Sequence, residues 1–176
     1  IVAISEFERG PVVMTSMCWM WKFGLLTKVS ITTTFSSARN TMTESRPTPM
    51  AELIEDTVLL FRQAESRHLP VEAQLPEAPA VLTVDPVLIR HALFNLLVNA
   101  AQATPDGEGG IEISLERGED KERNLPGWTL AVTDHGRGMP PEVMEKIFVP
   151  FYTTRSDGTG LGLPVVQHVA LLHDGQ

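Results

Sequence analysis

The chain has 176 residues, enough for one domain and a short appendage, with 43% hydrophobic and 20% charged side chains. That composition can bury a core and excludes wholesale disorder. With 14 Lys and Arg against 22 Asp and Glu the formal charge is -8, which argues against non-specific binding to nucleic acid or anionic lipid, since both need a basic face. The single cysteine, Cys18, excludes an intrachain disulfide framework and a cysteine-based zinc cluster and fits a reducing compartment.

The first residue is Ile1 rather than Met, so the chain reads as a piece of a longer one. Residues 1–44 are rich in Thr, Ser, Met and Trp and show no sustained period; they stay unassigned. Within them Val12 to Leu26 is apolar but short and interrupted by Lys22. A membrane span needs roughly 20 uninterrupted apolar residues, so this stretch reads as a buried or interfacial segment. The mixed charges Glu6, Glu8 and Arg9 do not make a signal peptide.

From Ser45 the texture is that of a globular domain, 45–176. Ser45-Arg46-Pro47-Thr48-Pro49 reads as a turn-like run. A helix is expected from about Met50 to Arg67, with Leu53, Val58, Phe61 and Ala64 as its apolar stripe. Val71 to Leu75 alternates like a half-buried strand, and Val81 to Val84 is a second candidate. Asp85-Pro86 is an N-cap followed by a first helical residue, opening a long helix to about Ala103. Ile111 to Glu116 and Trp128 to Val132 are strands, joined through a solvent-facing connection over Arg117 to Gly127. A short helix near Glu142–Ile147, a Gly/Thr-rich loop and a last helix from about Leu161 to Leu172 follow. Helices on one face of a mixed sheet are the implied architecture.

Three stretches carry chemistry. Asn95 and Asn99 are four residues apart, so they share a helical face beside the apolar stripe of Leu93, Leu97 and Ala100. A carboxamide offers a neutral oxygen to a hard cation and an NH₂ to a phosphate, and nucleotide-bound Mg²⁺ takes few protein ligands. Two buried amides satisfied by neighbouring backbone would look the same. In the second stretch, Val132 to Pro140, a strand ends on Asp134, whose carboxylate can accept from an exocyclic amine such as that of adenine. Gly136 and Gly138 let backbone pass close to a ligand. Turns and metal-binding loops use the same residues. The third is Phe148-Val149-Pro150-Phe151-Tyr152-Thr153-Thr154-Arg155, leading to Gly158-Thr159-Gly160-Leu161-Gly162-Leu163. Three alternate glycines opening onto a helix make an anion site. The spacing matches neither the dinucleotide fingerprint nor the P-loop. Phe148 and Phe151 form an aromatic pair that can anchor a moving loop.

In this order the segments resemble the N box, first glycine box, F box and second glycine box of the ATP-binding catalytic domain of two-component sensor histidine kinases. The resemblance covers Ser45 to Gln176. Ser45-Arg46-Pro47, Asn-Ala-Ala-Gln-Ala and Phe-Tyr-Thr-Thr-Arg look most like the nitrogen-regulation branch. It implies a Bergerat-type α+β two-layer sandwich, with ATP between the long helix and a flexible lid. By carry-over Asn95 and Asn99 would hold Mg²⁺ and phosphate oxygens, and Asp134 would receive the adenine amine, with Gly136 and Gly138 allowing close approach. Gly158, Gly160 and Gly162 would wrap the phosphates together with Thr154, Thr159 and Leu161, and Phe148 and Phe151 would hinge the lid. Arg155 stands where the family often has Lys, and both can serve a phosphate, with different geometry. His135 replaces a common Asn and has no assigned role.

ATP hydrolases of the same fold place a general-base Glu four residues before the Mg²⁺-binding Asn. Here that position is Asn95, which cannot take a proton from water at neutral pH. The amide therefore favours phosphoryl transfer to a partner histidine, by positioning and charge stabilisation. A non-catalytic binding module of the same fold is the remaining alternative. The resemblance implies a histidine-bearing dimerisation domain and a response regulator as partners, and a cytoplasmic location, including the cytoplasmic part of a membrane-anchored bacterial sensor. None of His68, His91, His135, His168 and His173 has the acceptor's setting. His173-Asp174 comes nearest but closes the last helix, His91 and His168 read as packing residues, and His68 as a partner of helix-end carbonyls. Residues 1–44 do not look like the acceptor-bearing hairpin. The family continues into further strands beyond the equivalent of Gln176, so an open sheet edge and a thin core are expected.

Overall fold

A computed structural model describes residues 2–4, 27–34, 44–65, 69–105, 109–120, 125–173 and 175. The elements in chain order are β1 (Val2–Ile4), β2 (Thr27–Thr34), β3 (Arg46–Pro49), α1 (Met50–Ala64), β4 (Val71–Gln74), β5 (Val81–Val84), α2 (Pro86–Ala103), β6 (Ile111–Asp120), β7 (Leu125–Asp134), α3 (Pro141–Met144) and α4 (Gly162–Leu172). Five strands form one mixed sheet in the order β1-β2-β7-β6-β4, and β3 and β5 form a separate two-stranded sheet. The result is an α+β sandwich.

The layers follow from alternation. Ile111, Ile113 and Leu115 on β6 stand beside Leu130 and Val132 on β7 in an antiparallel register that pairs Ile113 with Val132. Residues two apart share a face, and all five are buried against Leu93, Leu96 and Leu97 of α2 and Val166, Val169 and Ala170 of α4. Each such side chain contributes about 1.5–3 kcal/mol when fully buried. The same alternation carries one step further to Asp134, which puts a carboxylate at the end of the apolar stripe.

Three sequence expectations change here. Arg46 to Pro49 is strand rather than turn: Thr48 is buried opposite Leu82, while both prolines are exposed on a two-stranded ribbon where a missing N–H costs little. Helix α1 ends at Ala64, which is exposed; the buried stripe is instead Met50, Leu53, Ile54, Thr57, Val58 and Phe61. Residues 66–68, including His68, lie outside the described residues. β6 and β7 extend to Asp120 and from Leu125, well into the segment expected to be a connection.

β7 lies inside the sheet rather than at its edge. β2 pairs antiparallel with β7 along its whole length, from Thr27 opposite Asp134 to Thr34 opposite Gly127, and β1 adds in parallel outside it. Residues 27–34 thus satisfy the backbone groups on that side of β7, and β1 and β4 are the open edges of this sheet among the described residues. The run Thr-Lys-Val-Ser-Ile-Thr-Thr-Thr is rich in β-branched residues, which suit a pleated strand. Val12 to Leu26 lies outside the described residues. No helix among the described residues is long and apolar enough to cross a membrane.

Helix α2 begins as read. The Asp85 carboxylate accepts from Val87 N–H at 3.0 Å and Leu88 N–H at 3.2 Å, and it also accepts Glu44 N–H at 2.9 Å. Burial raises the Asp85 pKa, but the three backbone donors and His173 outweigh it and hold the carboxyl below its ordinary 3.8. The folded pKa is the lower one, so this stabilisation is complete above the unfolded value and is lost as pH falls through the folded value. Asp85→Ala is expected to cost about 0.5–2 kcal/mol near neutral pH and to flatten the acid limb of the stability curve. Urea unfolding at several pH values between neutral and strongly acidic reads both.

Candidate functional site

A cleft of ≈ 640 Å³ opens between α2, the end of β7 and the loop joining α3 to α4. Three of its walls come from the three motifs. Asn95 and Asn99 enter from α2, Asp134 and Gly138 from the end of β7, and Thr154, Arg155, Gly158, Thr159, Gly160 and Gly162 from the loop and the start of α4.

The two carboxamides differ in state. Asn95 Nδ2 donates to His91 O at 3.0 Å within its own helix, which directs its carbonyl oxygen away from that turn. Asn99 Nδ2 is buried with no hydrogen-bond partner. A buried unsatisfied amide costs about 1–3 kcal/mol, and Asn99 itself is part of the cleft lining. A Cβ built on Gly162 would stand 3.4 Å from both Asn95 Oδ1 and Asn99 Nδ2, so the two amides converge at the start of α4. The donor set fits a hard cation that arrives with phosphate: a carboxamide oxygen is a suitable ligand. Among the described residues no cluster of three His, Cys, Asp or Glu could hold a metal unaided.

Asp134 is 5% exposed, and its Oδ1 accepts Gly136 N–H at 2.9 Å. This bond fixes the carboxylate in the wall of the cleft, whose lining also includes the apolar Val132, Met139, Ile147 and Leu163. The arrangement suits a flat, mostly apolar ring that offers one N–H donor. Val132, Met139 and Leu163 lie inside the stretches singled out from sequence but were given no role there, and Ile147 lies next to Phe148.

Gly136 has a different reason to be glycine than expected. It does not line the cleft; a Cβ there would come within 2.4 Å of Ala103 O and 2.7 Å of Asp134 Oδ1. Its smallness lets the end of α2 pack onto the Asp134 turn, where Arg137 N–H donates to Ala103 O at 3.2 Å. Gly136 therefore shapes the carboxylate's position rather than admitting the ligand.

The aromatic pair also separates. Phe148 is half-buried against the core, whereas Phe151 is 74% exposed in the left-handed region at φ 67. Phe151 closes the loop through its backbone, its N–H donating to Gly160 O at 2.9 Å. Gly160, at φ +66, accepts that approach because a Cβ would lie 2.4 Å from the Phe151 carbonyl carbon. Neither phenylalanine lines the cleft, nor does Leu161; Tyr152 and Thr153 do. Arg155 is clasped by Asp157, with Nη2 at 3.0 Å from Oδ1 and 2.9 Å from Oδ2 and Nε at 3.3 Å from Oδ1.

His173 is buried and structural: Asp85 N–H donates to its Nε2 at 2.9 Å, and Nδ1 lies 2.8 Å from Val169 O. Both ring nitrogens are thus engaged, and neither is available as a nucleophile. His91 and His168 are exposed rather than packed, because each falls on the outer side of its helix. His135 is also exposed, with Nδ1 3.2 Å from Gly110 O and Nε2 3.8 Å from Glu112.

Residues 84–176 match the model of the "Histidine kinase-, DNA gyrase B-, and HSP90-like ATPase" family, more than half of the chain. The chain belongs to this family. Within it the chain is a catalytic domain of the sensor histidine kinase kind. A mycobacterial sensor histidine kinase, MprB, superposes with a TM-score of 0.62 at 30% identity, over 73% of this chain and 80% of that one. Sensor histidine kinase ZraS of Salmonella typhimurium is 36% identical over 117 residues, 66% of this chain and 24% of the relative. Nitrogen regulation protein NtrY of Azorhizobium caulinodans is 37% identical over 134 residues, 72% of this chain and 16% of the relative. A nitrogen-regulation protein thus stands among the relatives, in keeping with the branch suggested by the sequence. The chain spans about a quarter or less of the length of these curated relatives.

Proposed function

We propose that the domain 45–176 binds Mg²⁺·ATP in this cleft and transfers the terminal phosphoryl group to a histidine on a dimerisation domain, from which a response regulator receives it. The observation that carries the reading is the buried, unpartnered Asn99 Nδ2 meeting Asn95 at the start of α4, in a cleft that Asp134 also lines. Asp134 would accept the adenine amine between Val132, Met139, Ile147 and Leu163. Asn95 and Asn99 would hold the metal and its phosphate oxygens, which supplies charge neutralisation as the phosphoryl group departs. The backbone of Gly158, Gly160 and Gly162, with Thr154 and Thr159, would follow the phosphates, and Arg155 would meet the terminal one. The domain would work in the cytoplasm, where ATP is available.

The carboxamide at Asn95 supports transfer over hydrolysis, because an amide cannot deprotonate water. Incubating the chain with Mg²⁺, γ-labelled ATP and the dimerisation domain of a related sensor kinase is expected to place acid-labile, base-stable label on that domain. Steady release of free phosphate without labelled protein would show a hydrolase instead. A pocket that binds ATP but yields neither product would be a binding module.

A further inference from the structure

The charged side chains lining the cleft are Asp134 and Arg137 near the proposed adenine end and Arg155 and Asp157 in the glycine loop. Within the loop the two charges cancel. Arg155 spends Nε and Nη2, the edge of the guanidinium suited to a two-pronged grip on carboxylate or phosphate, on Asp157. The ion pair bridges only two residues and is held by the loop itself: Thr153 Oγ1 accepts Arg155 N–H at 3.1 Å, and Gly158 N–H donates to Arg155 O at 3.4 Å. The side chain of Arg155 is 27% exposed and that of Asp157 72%, so the carboxylate can leave for water while the guanidinium stays at the cleft. The Arg155 guanidinium also holds the Asp157 carboxyl below its ordinary 3.8, so it is ionised at neutral pH.

We propose that Asp157 is a built-in competitor of the nucleotide's terminal phosphate: it occupies Arg155 when the cleft is empty and must be displaced when a triphosphate binds. The proposal rests on the nucleotide reading above and assigns to that site a residue that sets its preference for a third phosphate. An entering triphosphate carries several negative charges. It meets a neutral pair in this chain, where an unpaired Arg155 would present one positive charge and its two-pronged edge. The exchange of carboxylate for phosphate keeps the guanidinium's hydrogen bonds but sends Asp157 back to water. A diphosphate that does not reach Arg155 makes no such exchange. Asp157 therefore lowers affinity for the triphosphate selectively, which favours release of an unused nucleotide and keeps the affinities for the two forms close.

Calorimetric titration of ATP and ADP with Mg²⁺ into the full chain tests this, using Asp157→Asn, Arg155→Gln, the double variant and Asp157→Glu. Exposed ion pairs are weak, so Asp157→Asn is expected to bind ATP only about 1.4- to 5-fold more tightly, with ADP unchanged within error. The gain should vanish in the Arg155→Gln background, shrink with added salt and be absent in Asp157→Glu, which keeps the carboxylate. Unchanged or weaker ATP binding by Asp157→Asn, with ADP still bound, overturns the proposal and makes Asp157 a positioning or metal-facing group. An equal gain in the Arg155→Gln background also overturns it. If the unsubstituted chain binds neither nucleotide, the nucleotide reading itself fails and this proposal falls with it.

Discussion

Asp134→Ala is expected to weaken ATP binding roughly 10- to 150-fold. A hydrogen bond to a buried charged group is worth about 1.5–3 kcal/mol, and each 1.4 kcal/mol is a factor of ten in affinity. The loss should be larger for adenine nucleotides than for guanine nucleotides, because a guanine ring presents a carbonyl where adenine presents its amine. Asp134 also accepts Gly136 N–H, so part of any effect would come from the turn that carries Gly136. Asp134→Asn separates the two contributions: its amide oxygen can still accept from Gly136, while the charge is gone. Fluorescence titration with an ATP analogue measures binding, and a thermal melt reports whether the turn has survived. Full affinity in both variants would remove Asp134 from the site.

Asn99→Ala is expected to show a divergence between stability and activity. Phosphotransfer should fall on the order of 100- to 1000-fold, as when a group that stabilises transition-state charge is removed. The folded domain should meanwhile be no less stable. Asn99 Nδ2 is buried without a partner, so its removal relieves an unsatisfied donor, and alanine is a better helix former than asparagine by up to about 0.7 kcal/mol. A side chain that only packed would behave in the opposite way, with lost stability and spared activity. Melting temperature and phosphotransfer rate measured on one preparation read both quantities. The functional group is kept at the expense of the fold, as binding sites commonly require.

Much of this site is visible in the sequence because it depends on short-range rules. Asp85-Pro86 marks the start of α2 since the cap and the first residue act locally, and the spacing of Asn95 and Asn99 fixes their common face once the helix is granted. Asp134 could be placed on the buried face by counting in twos from Leu130. What escaped depends on contacts between distant segments. Arg46 to Pro49 has the composition of a turn and becomes a strand only because β5 lies beside it. Residues 27–34 have the β-branched composition of a strand, but nothing local says that they pair with β7. Gly136 reads as a ligand-facing glycine until Ala103 arrives from the end of α2. The exposure of Phe151 follows from its left-handed backbone, and the clasp of Asp157 on Arg155 from a turn held by Thr153. Neither conformation has a sequence signature.

The most direct test is a crystal structure of the chain with Mg²⁺ and a non-hydrolysable ATP analogue. The adenine amine is expected within hydrogen-bond distance of the Asp134 carboxylate, and the ion between the phosphates and the Asn99 side chain, whose orphaned amide should then have a partner. An analogue bound elsewhere, or one whose ring and metal lie away from Asp134 and Asn99, would contradict the site as described.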